Sequence, residues 1–88
     1  MKNKLEVANA LLDEIINDRT VPRNIRAAVQ EAKNYLNNPE QPDLEVRIGS
    51  AISVLDEIIN DPNMPMYTRT QIWNVVSLLE SIRSSGKA

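Results

Sequence analysis

The chain has 88 residues, of which 42% are hydrophobic and 25% are charged, and its formal net charge is -2. This composition is typical of one small globular domain, and the chain is too apolar for a disordered protein. The near balance of acidic and basic residues argues against broad affinity for nucleic acid or anionic membranes, which requires a clustered basic face.

Two residue types that carry much of protein chemistry, cysteine and histidine, are missing from the sequence. Disulfides, thiolate metal sites and thiol nucleophiles are therefore excluded, and so are the commonest general base and metal ligand. Because no nucleophile–base pair can be named, we expect no enzymatic activity, no metal and no cofactor. The stretch MKNKLEVAN acquires charge too early for a signal peptide, and no apolar run has the length of a membrane span. We expect a cytoplasmic protein that does not enter a membrane.

The first half of the chain predicts two helices, because its apolar residues recur at spacings of three and four. The first helix covers about residues 3–18, and the second covers about residues 23–37. Pro22 suits the start of the second helix, where the N–H that proline lacks would have no partner within the helix. The apolar stripes of these helices are Leu5, Ala8, Leu12 and Ile15 in the first, and Ile25, Val29, Ala32 and Leu36 in the second.

The second half predicts two more helices after the turn-rich connector NNPEQP at residues 37–42. The third helix covers about residues 43–61, and the fourth covers about residues 66–84. Their apolar stripes are Ile48, Ala51, Leu55 and Ile58 in the third, and Ile72, Val75, Leu79 and Ile82 in the fourth. We expect the equivalent residues Leu12 and Leu55, and Ile15 and Ile58, all to be buried.

An internal repeat relates the two halves. The motif LDEIIND occurs at Leu12–Asp18 and again at Leu55–Asp61, and a shift of 43 residues aligns the rest of each half as well. Each half is a helical hairpin, at about residues 3–37 and 43–84, and neither hairpin can bury its apolar stripe alone. The sequence therefore predicts one all-α domain over residues 1–88, built from two duplicated helical hairpins.

Two architectures agree with this pattern. One is a four-helix up-and-down bundle, which short connections and similar helix lengths favour. The alternative is a pair of stacked HEAT-like hairpins, which an aspartate in the turn and an arginine early in the next helix also suit. Two repeats make a poor solenoid without dedicated caps, so we prefer the bundle.

The repeated aspartates at the helix ends need a compensating partner. Asp18 and Asp61 are the last residues of the predicted first and third helices, where a negative charge opposes the helix dipole. Arg26 and Arg69 lie eight residues further on, within reach across each hairpin. We predict a structural clasp in each half, Asp18 with Arg26 and Asp61 with Arg69. Carboxylates at Glu14 and Asp18 share a helix face and could hold a hard cation, but we favour a solvated face.

A second group of unusual residues suggests a partner surface near the two turns. Exposed tryptophan, tyrosine and methionine are common anchors for partner proteins, although Trp73 could instead cover the open end of the bundle. The candidate residues are Met64, Met66, Tyr67, Trp73, Arg23 and Arg26. Separately, Gly49 and Ser53 have the spacing that lets helices approach closely, which favours internal packing over a dimer face.

Several stretches of the chain resemble a known family. VPRNIR at residues 21–26, LDEIINDPNMP at residues 55–65 and RT followed by IWN at residues 69–74 are similar to small archaeal proteins known as uncharacterised protein family 0147. The resemblance covers essentially the whole chain. It implies an archaeal, all-helical domain of four helices, and it supplies no catalytic residue, cofactor or partner.

The preferred function is a small non-enzymatic module that presents its two turns to an unknown protein partner. The alternative is an RNA- or ribonucleoprotein-associated factor, although the two arginines of the segment RNIR are few for nucleic-acid binding. Its basic residues would be Arg19, Arg23, Arg26 and Lys33. The sequence leaves monomer and homodimer open.

Overall fold

Four α-helices make up the secondary structure of the protein. The computed structural model describes residues 3–85, so residues 1–2 and 86–88 of the predicted domain lie outside the described residues. The helices are α1 (Lys4–Ile16), α2 (Arg23–Leu36), α3 (Leu44–Ile58) and α4 (Met66–Ser85), and no strand occurs in the described range. The predicted order of helices is confirmed, although α3 ends three residues before position 61.

Side chains adjacent to the helices specify where α1 and α3 begin. The Asn3 side chain accepts the N–H of Glu6 at 2.8 Å while the Glu6 side chain accepts the N–H of Asn3, which is a complete capping box. Asp43 accepts the N–H of Glu45 at 3.0 Å at the start of α3. The start of α2 has no side-chain cap, because Pro22 precedes it directly. The helix boundaries therefore follow from local sequence.

The four helices form a ring in which each helix packs on two neighbours. The pairs in contact are α1 with α2, α2 with α3, α3 with α4, and α4 with α1, whereas the described parts of α1 and α3, and of α2 and α4, do not meet. A stack of HEAT-like hairpins would place α1 on α3 and α2 on α4. The bundle prediction is confirmed. The first hairpin packs on the second through two contacts, α1 with α4 and α2 with α3, and the 43-residue repeat makes these two contacts equivalent.

The core repeats with the same 43-residue period as the sequence. Six pairs of equivalent apolar residues are buried in both halves, and they line the space between the two hairpins. These pairs are Ala8 and Ala51, Leu12 and Leu55, Val21 and Met64, Val29 and Ile72, Ala32 and Val75, and Leu36 and Leu79. Burial of the two LDEIIND leucines at equivalent sites is what a duplicated hairpin requires.

The two halves differ where the helices of each hairpin meet at the surface. Asn9 and Asn37 exchange hydrogen bonds at 2.7 and 3.2 Å between α1 and α2, and Lys33 pairs with Asp13 one turn away. At the position equivalent to Asn9, α3 has the buried residue Ile52. The seam between α1 and α2 is therefore closed by polar side chains, whereas the equivalent part of α3 contributes to the core.

Burial also separates one pair of equivalent isoleucines. Ile15 is fully buried, whereas Ile58 is only partly buried and packs against the edge of the core. The expectation that both would be buried is wrong for Ile58. The contacts between α1 and α2 and those between α3 and α4 are not equivalent in detail, so the repeated sequence meets different neighbours.

We predict that Ile15→Ala destabilises the protein by about 3 kcal/mol, because it leaves a cavity in a closed core. Ile58→Ala should cost only about 1 kcal/mol, since much less apolar area is lost from the interior. Urea unfolding at equilibrium measures both changes, and the fully buried pair Leu12→Ala and Leu55→Ala is the matched control. Equal losses at Ile15 and Ile58 would contradict the difference in burial.

Candidate partner surface

All three connections between helices contain the same tight turn, with an aspartate or asparagine as its first residue. In each turn the side-chain oxygen of that residue accepts the N–H two positions later, at 2.8–2.9 Å. Its backbone carbonyl accepts the N–H three positions later, at 3.1–3.3 Å. This is an Asx-turn combined with a β-turn, which a short polar side chain at the first position stabilises. The turns are residues 18–21, 38–41 and 61–64.

The turn geometry explains why an aspartate is acceptable at these helix ends. The Asp18 carboxylate accepts the N–H and the hydroxyl of Thr20 at 2.9 and 2.6 Å, and these two hydrogen bonds lower the pKa of Asp18 below its ordinary value. Asp61 accepts the N–H of Asn63 at 2.8 Å and the side-chain amide of Asn24 at 2.8 Å. Donors beyond the helix therefore satisfy each carboxylate.

The predicted aspartate–arginine clasps are wrong as ion pairs. Arg26 donates from Nε to the carbonyl of Val21 at 2.9 Å, and Arg69 donates from Nε to the carbonyl of Ile59 at 3.3 Å. The ion pairs found within residues 3–85 are Lys33–Asp13 and Arg83–Glu80, and neither involves a turn aspartate. Val21 lies in the turn before α2 and Ile59 caps the end of α3, and their backbone carbonyls take the place of the carboxylate as acceptors. After the Thr20 hydrogen bonds, the charge of Arg26 also contributes to the lowered pKa of Asp18, but the two side chains form no ion pair and each is held by its own hydrogen bonds.

The first and third turns lie side by side at one end of the bundle. The hydrogen bond from Asn24 at the start of α2 to Asp61 in the third turn connects the two hairpins there. Because α2 and α4 both begin at this end, the candidate partner residues Arg23, Met66 and Tyr67 lie on the same part of the molecule. The fold therefore brings these three residues of the predicted surface together.

Burial divides the candidate residues into two groups. Met66, Tyr67 and Trp73 keep 70%, 69% and 56% of their surface exposed, and Arg23 is exposed as well. Met64 is only 6% exposed, so its assignment to the surface is wrong. It occupies the core site equivalent to that of Val21, where each turn returns to the bundle. Trp73 does not close the end of the bundle, because most of its surface is open to solvent.

The exposed side of the first three turns of α4 contains no charged residue, and we call it the α4 face. Met66 and Trp73 are seven residues apart, which places them within about 20° of each other around the helix. Three smaller residues that the sequence analysis did not single out complete this surface. The α4 face consists of Met66, Tyr67, Thr70, Trp73, Asn74 and Ser77, all of which are exposed.

The internal repeat supplies a direct comparison for the α4 face. The six equivalent positions on α2, the α2 face, are also all exposed. They are Arg23, Asn24, Ala27, Gln30, Glu31 and Asn34. The same architecture therefore has an ordinary polar and charged surface on one helix, and methionine, tyrosine and tryptophan on the other. A comparison of the exposed positions of the two repeats would have found this surface from the sequence.

A shallow groove of about 520 Å³ crosses the outer side of α3. Gly49 and Ser53 lie in it, with Tyr35 of α2 on one side and Arg83 of α4 on the other. The expectation that Gly49 and Ser53 serve internal packing is wrong, because these small residues line an open groove and not a contact between two helix backbones. Ala32 of the α2 stripe is buried.

The basic residues of the RNA alternative do not form a free cluster. Lys33 is paired with Asp13 across the hairpin, and Arg26 is bonded to the carbonyl of Val21. Arg19 and Arg23 are exposed. Over residues 3–85, no three carboxylate side chains converge in a way that could hold a metal ion. In the same range, no helix combines the length and apolarity needed to cross a membrane.

The fold and surface define a class of protein: a four-helix bundle of duplicated hairpins with one uncharged aromatic face. The chain belongs to Uncharacterised protein family UPF0147, whose profile matches residues 1–82. The resemblance seen in the sequence is therefore confirmed.

Relatives of known sequence or structure agree with this assignment. A UPF0147 protein of Methanocaldococcus jannaschii is 61% identical over 74 residues, which cover 83% of this chain and 77% of that protein. A solved structure described as the unknown function protein MMP1188 has a TM-score of 0.85 and 58% identity, covering 89% of this chain and 88% of its own. A UPF0147 structure from Thermoplasma acidophilum has a TM-score of 0.84 and 39% identity, covering 91% and 93%. None of these descriptions states a function.

We predict that Gly49→Ala stabilises the protein by about 0.5–1 kcal/mol, because alanine loses less backbone entropy than glycine in a helix. The added Cβ would lie 3.4 Å from Nη2 of Arg83, the far end of a flexible side chain that can move. Thermal and urea unfolding measure the change, and Ser53→Ala on the same side of α3 is the control. A loss of stability would show that another helix needs the space at Gly49.

We predict that the effects of Asp61→Ala and Arg69→Ala on unfolding free energy are additive to within about 0.5 kcal/mol, since the two side chains have separate partners. Asp61→Ala should cost about 1–2 kcal/mol through its lost turn hydrogen bonds. A double-mutant cycle in urea measures the coupling. A coupling above about 1 kcal/mol would restore the ion pair that the sequence suggested.

Proposed function

We propose that the chain is a non-enzymatic protein-interaction module of the cytoplasm and that its partner binds the α4 face. The observation that carries this proposal is the difference between the α4 face and the equivalent α2 face. Protein interfaces are enriched in tyrosine, tryptophan and methionine at their centre and depleted of charge there. The α4 face has this composition, and the α2 face does not.

The internal comparison supports a role beyond folding for the exposed aromatic residues. Because Asn24 and Gln30 occupy the sites equivalent to Tyr67 and Trp73, the bundle can be built with polar residues at these positions. An exposed tryptophan gains little from burial in the free protein. In a complex the same side chain can become an anchor worth 2 kcal/mol or more, in the range of measured hot spots.

The anchors are held rigidly, which favours binding. Met66 and Tyr67 lie in the first turn of α4, directly after a turn fixed by the Asp61 hydrogen bonds. Trp73 lies two turns further along, next to the fully buried residue Ile72. Side chains on a packed helix lose less conformational freedom on binding than those on a loop, so more of the contact energy becomes affinity.

A non-enzymatic role agrees with the residues available. The chain has neither histidine nor cysteine, and the turn carboxylates accept hydrogen bonds within their own turns. A binding role needs none of these groups. The absence of enzymatic activity and the cytoplasmic location are parts of this proposal.

The test replaces three residues of the α4 face with the residues found at the equivalent positions of the α2 face. We expect the triple variant Met66→Arg, Tyr67→Asn, Trp73→Gln to keep the helical circular dichroism of the wild type, because all three sites are exposed. Retention of the bound partner, measured by affinity capture from an archaeal extract and quantitative mass spectrometry, should fall at least tenfold.

The matched control changes the α2 face instead. The variant Gln30→Ala, Asn34→Ala, which removes only the hydrogen bond between these two exposed side chains, should retain the same proteins as the wild type. If the exchanged and the wild-type chains capture the same proteins equally, the α4 face is not the binding surface. Strong retention of RNA that falls steeply with salt and does not depend on the exchange would favour the nucleic-acid alternative.

A further inference from the structure

The large and small residues of the α4 face follow a regular order along the helix. Four of them occur at spacings of four, three and four residues, which is the spacing of a coiled-coil seam. They are Met66, Thr70, Trp73 and Ser77, in the order large, small, large, small. All four are exposed, so this seam faces solvent and no helix within residues 3–85 covers it.

The order of sizes is complementary to itself when a second copy is turned end to end. About a twofold axis between Thr70 and Trp73, Met66 of one copy lies opposite Ser77 of the other copy. In the same arrangement, Thr70 lies opposite Trp73. Each large side chain thus meets a small one, which allows close packing. A parallel arrangement would set Trp73 against Trp73 and leave a gap between the two serines.

We propose that the occupant of the α4 face is a second copy of this chain, bound through an antiparallel twofold contact between the two α4 helices. This inference rests on the proposed function, because it names the partner of the same surface. A twofold contact is isologous, so each copy supplies the same residues and the assembly closes as a dimer. Antiparallel helices with this residue spacing cross at about 20°.

Charge supports a second copy as the partner. The α4 face has no charged residue, so two chains of net charge -2 can meet there without opposing like charges at the centre. Beyond the seam, Glu80 is exposed one turn after Ser77 and is paired with Arg83 of its own chain, so it adds no unpaired charge at the edge of the contact.

The exposed area sets the strength of the contact. Met66, Tyr67 and Trp73 retain more than half of their surface, which corresponds to roughly 400 Å² for each copy. A standard interface buries about 800 Å² for each partner. The dimer should therefore be weak, with a dissociation constant on the order of 100 µM.

Sedimentation velocity over a concentration series from about 10 µM to 1 mM spans this range. We expect the wild type to change from monomer to dimer across the series. The variant Met66→Arg, Tyr67→Asn, Trp73→Gln should stay monomeric at every concentration, and the control Gln30→Ala, Asn34→Ala should associate like the wild type. A wild type that is monomeric at 1 mM would overturn the inference, as would a dimer unaffected by the exchange.

Cysteine cross-linking tests the direction and register of the contact, because the chain has no native cysteine. In a mixture of Met66→Cys and Ser77→Cys chains, mild oxidation should produce a covalent dimer of one chain of each kind. Oxidation of Ser77→Cys chains alone should give at least tenfold less covalent dimer. The two introduced sulfurs would be about 16 Å apart along the helices, which is too far for a disulfide. Equal cross-linking of Ser77→Cys alone would contradict the antiparallel register.

Different results exclude the dimer and the interaction module. If the wild type stays monomeric but captures another protein through the α4 face, the dimer is excluded and the interaction module stands. If the wild type neither dimerises nor captures any protein that the exchanged variant loses, both are excluded.

Discussion

Each helical hairpin has an apolar stripe that it cannot cover by itself, and the packing of the two hairpins on each other removes both stripes from water. The fully buried residues Leu12 and Leu55 lie at equivalent positions in this contact. Apolar burial of this kind is worth about 25 cal/mol for each Å² and is the dominant favourable term in folding. The ring of helices and the outward position of the α4 face both follow from this contact.

Polar groups then decide how the chain passes from one helix to the next. The same Asx-turn occurs in all three connections, with Asp18, Asn38 and Asp61 as first residues. Since the side chain replaces water as the acceptor of a turn N–H, the chain can reverse direction in a few residues without leaving that donor unpaired. Short connections in turn keep each pair of successive helices in contact.

The internal repeat allows the exposed residues of α2 and α4 to be compared position by position, because the two equivalent helices occupy corresponding places in the bundle. Trp73 and Gln30 illustrate this, since both are exposed at equivalent positions. Asn24 serves the fold through its hydrogen bond to Asp61, whereas the exposed tryptophan of α4 corresponds to a glutamine on α2. The self-complementary order of large and small residues on the α4 face gives this surface a specific geometry.

Sequence alone determined the helices, the repeat and most of the core, because periodicity, prolines and capping residues act locally and the 43-residue shift identifies equivalent positions. It also located Met66, Tyr67 and Trp73 as unusual. Only the tertiary structure decided that Met64 is buried, that Ile58 is only partly buried, and that Gly49 lines a surface groove, since these depend on which neighbour each residue meets. Arg26 and Arg69 donate to backbone carbonyls and not to carboxylates for the same reason. Sequence spacing shows what a side chain can reach, and the packed chain determines which acceptor is nearest and least satisfied.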